Sequence, residues 1–198
     1  MLESLGQQLR KPSGLFGRIV SRMMDTRNRK FYLRMIREMR IQNGDRIYEI
    51  GYGPGLGVQM IASNISDCTI SGIDFSELMV QMASKRNKRF IDEGRVNLKY
   101  GDLLTADTTG ERYDKIFCVN VIYFWKDLKP VFQKIHSMLS SEGSFCIFMT
   151  PAKDLSGGFA VEFNKYSIEE VVAALKESDF KNVRYKLEDG YYIHSYKN

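Results

Sequence analysis

Residues 47–55 read Ile47-Tyr48-Glu49-Ile50-Gly51-Tyr52-Gly53-Pro54-Gly55, and the organisation of the chain follows from them. Arg46 to Ile50 has the apolar character of a short buried strand, and a helix-patterned run from Gly57 to Ile65 begins two residues after the last glycine. Three glycines at alternate positions between a strand and a helix let the backbone turn tightly and come close to a ligand that side chains would exclude. The spacing is not the G-x-G-x-x-G of a dinucleotide binder, because the third glycine comes one position early and Pro54 stands between the last two. No Gly-Lys-Ser/Thr follows, which excludes a P-loop, and phosphate cradling by a helix N-terminus is not the obvious purpose of this turn.

Downstream, short apolar runs alternate with helical stretches. Thr69 to Ile73 reads as a strand, Glu77 to Phe90 as a helix, and Val96 to Tyr100 and Tyr113 to Val119 as strands. Lys129 to Leu139 reads as a helix that Glu142-Gly143 turns into a strand over Ser144 to Thr150. A last helix over Ser167 to Ser178 begins with a capping-box pair, Ser167 and Glu170. The strands Val183 to Leu187 and Tyr191 to Tyr196 then flank Glu188-Asp189-Gly190, a hairpin signal. Parallel neighbours need a crossover each time. The expected fold is α/β: a doubly wound, mostly parallel seven-stranded sheet ending in an antiparallel hairpin. The irregular stretch 151–166, with Phe159, Glu162 and Phe163, follows a central strand and is expected to border a pocket.

The 198 residues carry 29 Lys and Arg against 24 Asp and Glu, but the excess is local. Residues 1–40 hold ten cations and three acids, a balance of +7 that leaves −2 for the remainder. A uniformly basic nucleic-acid binder is therefore disfavoured. Residues 1–43 read as a basic amphipathic lead-in of two short helices, the first from Leu15 and the second through Phe31, Tyr32, Met35, Ile36 and Met39, with the main domain over 44–198. Two readings stand for this lead-in: padding for one side of the sheet, or a lid over a site. A membrane-surface or nucleic-acid contact is a weaker third. No run approaches 18 apolar residues and no signal-type block opens the chain, so neither a membrane span nor secretion is expected and the cytoplasm is the default. Cys68, Cys118 and Cys146 share no C-x-x-C spacing and only His136 and His194 accompany them, so a disulfide framework or metal centre is not expected.

Glu49-x-Gly51-x-Gly53-x-Gly55 resembles the first-strand motif of the class I S-adenosylmethionine-dependent methyltransferases, and the resemblance runs over residues 44–198. It implies a Rossmann-like methyltransferase fold with S-adenosyl-L-methionine as cofactor. The glycine turn with Tyr52 would lie against the methionine portion, and Glu49 would organise that end through the cofactor's amino group or through the loop backbone. Asp74, 19 residues beyond Gly55, ends the second strand, where an acid accepts hydrogen bonds from two vicinal ribose hydroxyls. By resemblance Phe75 packs near the adenine and Met79 borders the same pocket; Met79 also suits an ordinary core position. Gly101-Asp102-Leu103 resembles the motif whose acid meets the adenine amino group and whose next residue meets the ring. Asn120 and Val121, after the fourth strand, would be cofactor-adjacent.

Methyl transfer from a sulfonium is an in-line displacement with a good leaving group, so it needs alignment and water exclusion more than a dedicated base. No catalytic residue is assigned. Tyr52, Tyr123, Trp125, Glu162 and His194 are candidates by position, though His194 lies within a strand and reads as structural. Asn120-Val121-Ile122-Tyr123 is not the N/D-P-P-Y/F run of amino-methylating nucleic-acid enzymes, and neither the cysteine pair used on RNA cytosine nor the three metal-binding acids of catechol-type enzymes can be assembled. The expected acceptor is a small molecule, apolar or anionic, with a protein, peptide or RNA acceptor as the alternative. No stable nucleic-acid partner is expected, and the protein is read as a monomer or homodimer.

Overall fold

The structure, a computed structural model, describes residues 14–151, 154 and 164–198, with side chains from residue 26 onward. Helix α1 (Gly14–Met39) leads into β1 (Arg46–Ile50), α2 (Leu56–Asn64), β2 (Thr69–Asp74), α3 (Glu77–Arg86), α4 (Lys88–Asp92) and β3 (Val96–Tyr100). The second half runs β4 (Tyr113–Val119), a 3-10 turn (Ile122–Phe124), α5 (Leu128–Met138), β5 (Leu139–Met149), α6 (Ile168–Glu177), β6 (Lys181–Leu187) and β7 (Tyr191–Tyr196). One seven-stranded sheet has the order β3-β2-β1-β4-β5-β7-β6. β1 to β5 are parallel, and β7 runs antiparallel to both β5 and β6. The doubly wound sheet with its terminal hairpin is thus the fold.

Alternation along the central strands sorts side chains into two cores. Ile116 and Cys118 of β4 with Phe145, Ile147 and Met149 of β5 face α5 and α6, whereas Phe117, Val119, Cys146 and Phe148 face α1 and α2. Chain order reverses between β1 and β4, so their carboxyl ends diverge and leave a crevice.

Three elements differ from the sequence reading. The lead-in is one helix, not two. Its half from Phe31 to Met39 is built into the core: Phe31, Tyr32, Met35 and Met39 are buried, and Phe31 stacks on Phe148 at 4.0 Å between ring centroids. Burial of one such side chain is worth roughly 1.5–3 kcal/mol, which secures α1 to the sheet. The helix expected over Glu77 to Phe90 breaks at Asn87, whose buried amide donates to Gly55 O at 3.1 Å as well as to Ala83 O at 3.0 Å. β5 begins at Leu139, before Glu142-Gly143, because the register against β4 shifts between Tyr113 and Lys115 and absorbs the irregularity. The capping box is formed as expected, with Ser167 Oγ accepting from Glu170 N at 3.2 Å and Glu170 Oε2 accepting from Ser167 N at 2.7 Å.

Candidate active site

The crevice begins where β1 ends. Gly51 adopts φ +66°, donates its N–H to Ile73 O at 2.8 Å, and passes so close to Val121 that a Cβ would lie 2.6 Å from a valine methyl. Only glycine combines that backbone with that approach. Gly53, at φ +52°, donates to Asp74 Oδ2 at 2.8 Å, and a Cβ there would meet nothing within 4 Å. Its face is open to the cavity that it lines. Gly55 backs onto Ala83 and Asn87 instead. Tyr52 points away from the cavity: fully buried, it reaches under β2 and donates its hydroxyl to Lys99 O at 3.0 Å.

Asp74, at the tip of β2, accepts from Ser76 N at 2.9 Å on Oδ1 and from Gly53 N at 2.8 Å on Oδ2. Each oxygen keeps acceptor capacity toward the cavity. Burial pushes its carboxyl up to about 6, against the two backbone donors, which favour the ionised form. Phe75 and Met79 continue this wall, followed by Gly101, Asp102 and Leu103 after β3. Asp102 is exposed and turns one oxygen onto Leu104 N at 2.8 Å.

The opposite wall rises from β4. Asn120 adopts the left-handed φ of +57°, which asparagine tolerates better than most residues, and its N–H donates to Phe148 O at 2.9 Å. Its Oδ1 accepts from Thr150 N at 3.2 Å and Thr150 Oγ1 at 3.1 Å. The Tyr123 hydroxyl proton is shared between Asn120 Oδ1 at 3.1 Å and Thr150 O at 3.0 Å. Asn120 Nδ2 donates to Asn28 Oδ1 of α1 at 3.3 Å. The tips of β4 and β5 are therefore locked together and tied to α1. Val121, Phe124 and Trp125 complete this side.

A second tie runs from α1 to β1. Tyr32 donates its hydroxyl to Glu49 Oε1 at 2.8 Å. Glu49 is fully buried beside the first turn of α2, where the Val58 N–H favours its ionised form, yet Oε2 has no partner in hydrogen-bond geometry. Burial dominates and raises its carboxyl to about 8, with the charge of Asp74 adding to the rise. Gly57 makes the arrangement possible, since a Cβ there would lie 2.7 Å from Glu49 Oε2 and 2.5 Å from the Tyr32 ring.

Of the residues predicted from sequence, Gly51, Gly53, Asp74, Phe75, Met79, Asp102, Leu103, Asn120 and Val121 meet around one cavity, while Glu49, Tyr52 and Gly55 stand behind its wall. The empty space is about 1000 Å³ when counted out through its open mouth into solvent. Asn28 and Tyr32 also line it, and sequence reasoning missed both; two polar groups four residues apart on one face of a basic helix were the available signal. His194 lies away from the cavity in mid-β7, paired with Cys146 and stacked on Tyr196 at 4.7 Å, with burial pushing its imidazole down to about 4. Phe159, Glu162 and Phe163 fall outside the described residues. Among those described, no three His, Cys, Asp or Glu side chains converge as a metal site.

The family described as a methyltransferase domain matches residues 47–143, which span β1 through the start of β5. An uncharacterized methyltransferase of Bacillus subtilis, YdaC, is 32% identical over 156 residues, covering 77% of this chain and 84% of its own. The chain belongs to the class I S-adenosylmethionine-dependent methyltransferases. Among solved structures, this methyltransferase shares its fold with one chain of the complex between the Haloferax volcanii Trm112 methyltransferase activator and a methyltransferase, at TM-score 0.80, 13% identity and coverage of 100% and 99% of the two chains. It also matches a Haemonchus contortus phosphoethanolamine N-methyltransferase in complex with phosphomonomethylethanolamine and S-adenosylhomocysteine, at TM-score 0.70 and 22% identity. That match covers 79% of this chain and 38% of the worm enzyme. The cofactor of the methyltransferase is S-adenosyl-L-methionine. The donor set fits such a group: the bare Gly53 face and the acceptor capacity of Asp74 suit a phosphate-free zwitterion carrying a ribose.

Proposed function

We propose that this methyltransferase acts on a small-molecule acceptor, with the cofactor spanning from the Gly51–Gly53 turn to Asp102 and the acceptor entering beside Asn120 and Trp125. One observation carries the reading. The crevice has a polar, acid-bearing wall after β2 and β3, and it continues past Gly51 to an aromatic and amide wall after β4. When bound, the cofactor supplies an electrophilic methyl group on a positively charged sulfur. Asp74 would hold the ribose hydroxyls through the lone pairs its backbone donors leave free. Phe75, Met79 and Leu103 would sandwich the adenine, with Asp102 accepting from its amino group. Glu49 would act from behind the turn, through α2 and Tyr32, to fix the shape of the methionine end. Asn120, held by Thr150 and Tyr123, would keep the β4 tip in register with the acceptor, and Phe124 and Trp125 would exclude water from it.

The worm enzyme's phosphomonomethylethanolamine complex supports a small acceptor for this fold. We read the described end of α1 as a wall of the site, and the protein as a cytoplasmic monomer or homodimer without a stable nucleic-acid partner. No described helix is long and apolar enough to cross a membrane. Calorimetric titration with S-adenosylhomocysteine and with NAD tests the cofactor pocket, the former expected to bind and the latter not. Incubation with a labelled methyl donor and metabolite, peptide and RNA fractions tests the acceptor. Label is expected in metabolites, and label confined to peptide or RNA would overturn this reading.

A further inference from the structure

Beyond the residues that line the cavity, α1 carries a cation whose position is set by the packing of its neighbours. Phe31 stacks on Phe148 of β5 at 4.0 Å, and Asn28 accepts from Asn120 just past the end of β4. Toward its N-terminus, α1 therefore climbs toward the carboxyl ends of the strands. Arg27 lies one helical turn before Phe31 on the same stripe, a rise of roughly 5–6 Å. That brings it level with Thr150, two residues beyond Phe148, where the Tyr123 hydroxyl is held. The electrostatics agree with this placement, since the Arg27 charge opposes the upward shift of the Tyr123 phenol.

Two neighbouring cations on α1 are committed elsewhere. Lys30 pairs with Asp189 at 3.0 Å and Arg34 pairs with Glu188, both on the hairpin. Among the described residues Arg27 has no carboxylate at ion-pair distance, and its side chain is exposed. The acids that line the cavity, Asp74 and Asp102, stand on the opposite wall. The carboxylates of the cavity thus stand on one wall, and Arg27, outside the lining itself, lies on the helix turn beside Asn28 on the other.

We propose that Arg27 is a specificity-determining residue of the acceptor site, taking a carboxylate or phosphate group of the small acceptor at the Tyr123 side of the mouth. The inference rests on the cofactor and acceptor placement above and deepens it. A guanidinium offers paired N–H donors that match either oxyanion, and the Asn28 amide beside it adds a neutral partner. The methylated atom would then lie on the part of the acceptor directed inward, toward Asn120 and Gly51.

The test uses the full chain saturated with S-adenosylhomocysteine at low ionic strength, titrated calorimetrically with pyrophosphate in one arm and malonate in the other. Wild type is expected to bind at least one with millimolar affinity. Arg27→Gln should weaken that binding about tenfold, consistent with loss of a charge-assisted pair. Arg27→Lys should fall between the two. Arg37→Gln removes the same charge from an exposed position on α1 beside the hairpin groove and should leave binding unchanged. Preference for one arm assigns phosphate or carboxylate as the handle. Absence of anion binding, or equal weakening by Arg27→Gln and Arg37→Gln, overturns the role of Arg27 while leaving the cofactor placement standing. Failure of S-adenosylhomocysteine itself to bind overturns both.

Discussion

Asp74 ties the cavity wall together, because it closes the glycine turn through Gly53 N, holds Ser76 N and still offers acceptors to the cavity. Asp74→Asn turns one acceptor into a donor that faces either the Gly53 or the Ser76 N–H. S-adenosylhomocysteine affinity is expected to fall about 10- to 100-fold, as loss of a charge-assisted bond worth roughly 1.5–3 kcal/mol requires, and calorimetry reads it. Glu49 makes a different prediction. Its folded carboxyl titrates at about 8 against an ordinary 4.5, so the native state holds a proton that the unfolded chain has released. Stability is then fully present below pH 4.5 and is lost as pH rises toward 8, by at most about 1.4 kcal/mol per pH unit from this one group. Glu49→Gln, which imitates the protonated form, should flatten that decline in denaturant midpoints measured between pH 5 and 8.5; a decline as steep as in wild type would refute the assignment. Glu49, Asp74 and the glycines were legible in the sequence because their spacing along a strand-turn-helix unit is local. Tyr32 and Asn28 were not, because the apolar residues around them assign that helix face to packing, and only the fold shows that the same face ends at a cavity.

At the scale of elements, α1 is where reading and structure part most. Periodicity placed helical character there but as two helices where the structure has one. Phe31 to Met39 cover the sheet, while Asn28 and Tyr32 reach into the crevice. The break at Asn87 had no local signal either, since its cause is a hydrogen bond to Gly55 O, 32 residues away in sequence. The basic face of α1 proves to be partly structural: Lys30, Arg34 and the Arg34 stack on Tyr192 at 4.9 Å join it to the hairpin, and Lys186 of β6 reaches Glu38 at 3.5 Å. These pairs are half-exposed and individually weak. Glu188→Lys should cost about 1 kcal/mol in urea unfolding at low salt and measurably less at high salt, the screening that distinguishes charge from packing.

For the molecule as a unit, the two cores on either face of one sheet both reach the crevice at its carboxyl edge, through Ile50, Leu103 and Val121 of one and Tyr32, Leu56 and Val119 of the other. A ligand seated there binds only the folded state. S-adenosylhomocysteine at about 100 times its dissociation constant should add roughly 2.7 kcal/mol, or a Tm increase of about 5–10 °C for a domain of this size, and a thermal melt with no shift would refute the pocket.

The docking of α1 also has a bearing on how the protein is made. Of the described elements α1 leaves the ribosome first, but its seat is assembled from Phe148 of β5, Tyr192 of β7 and the acids of the hairpin, which are among the last to be synthesised. Part of its apolar stripe can pack early on β1 and α2, through Tyr32, Met35 and Met39, but the face of Phe31 that stacks on Phe148 has no partner until β5 is made. Lys30 and Arg34 likewise reach their partners, Asp189 and Glu188, only when the terminal hairpin is in place.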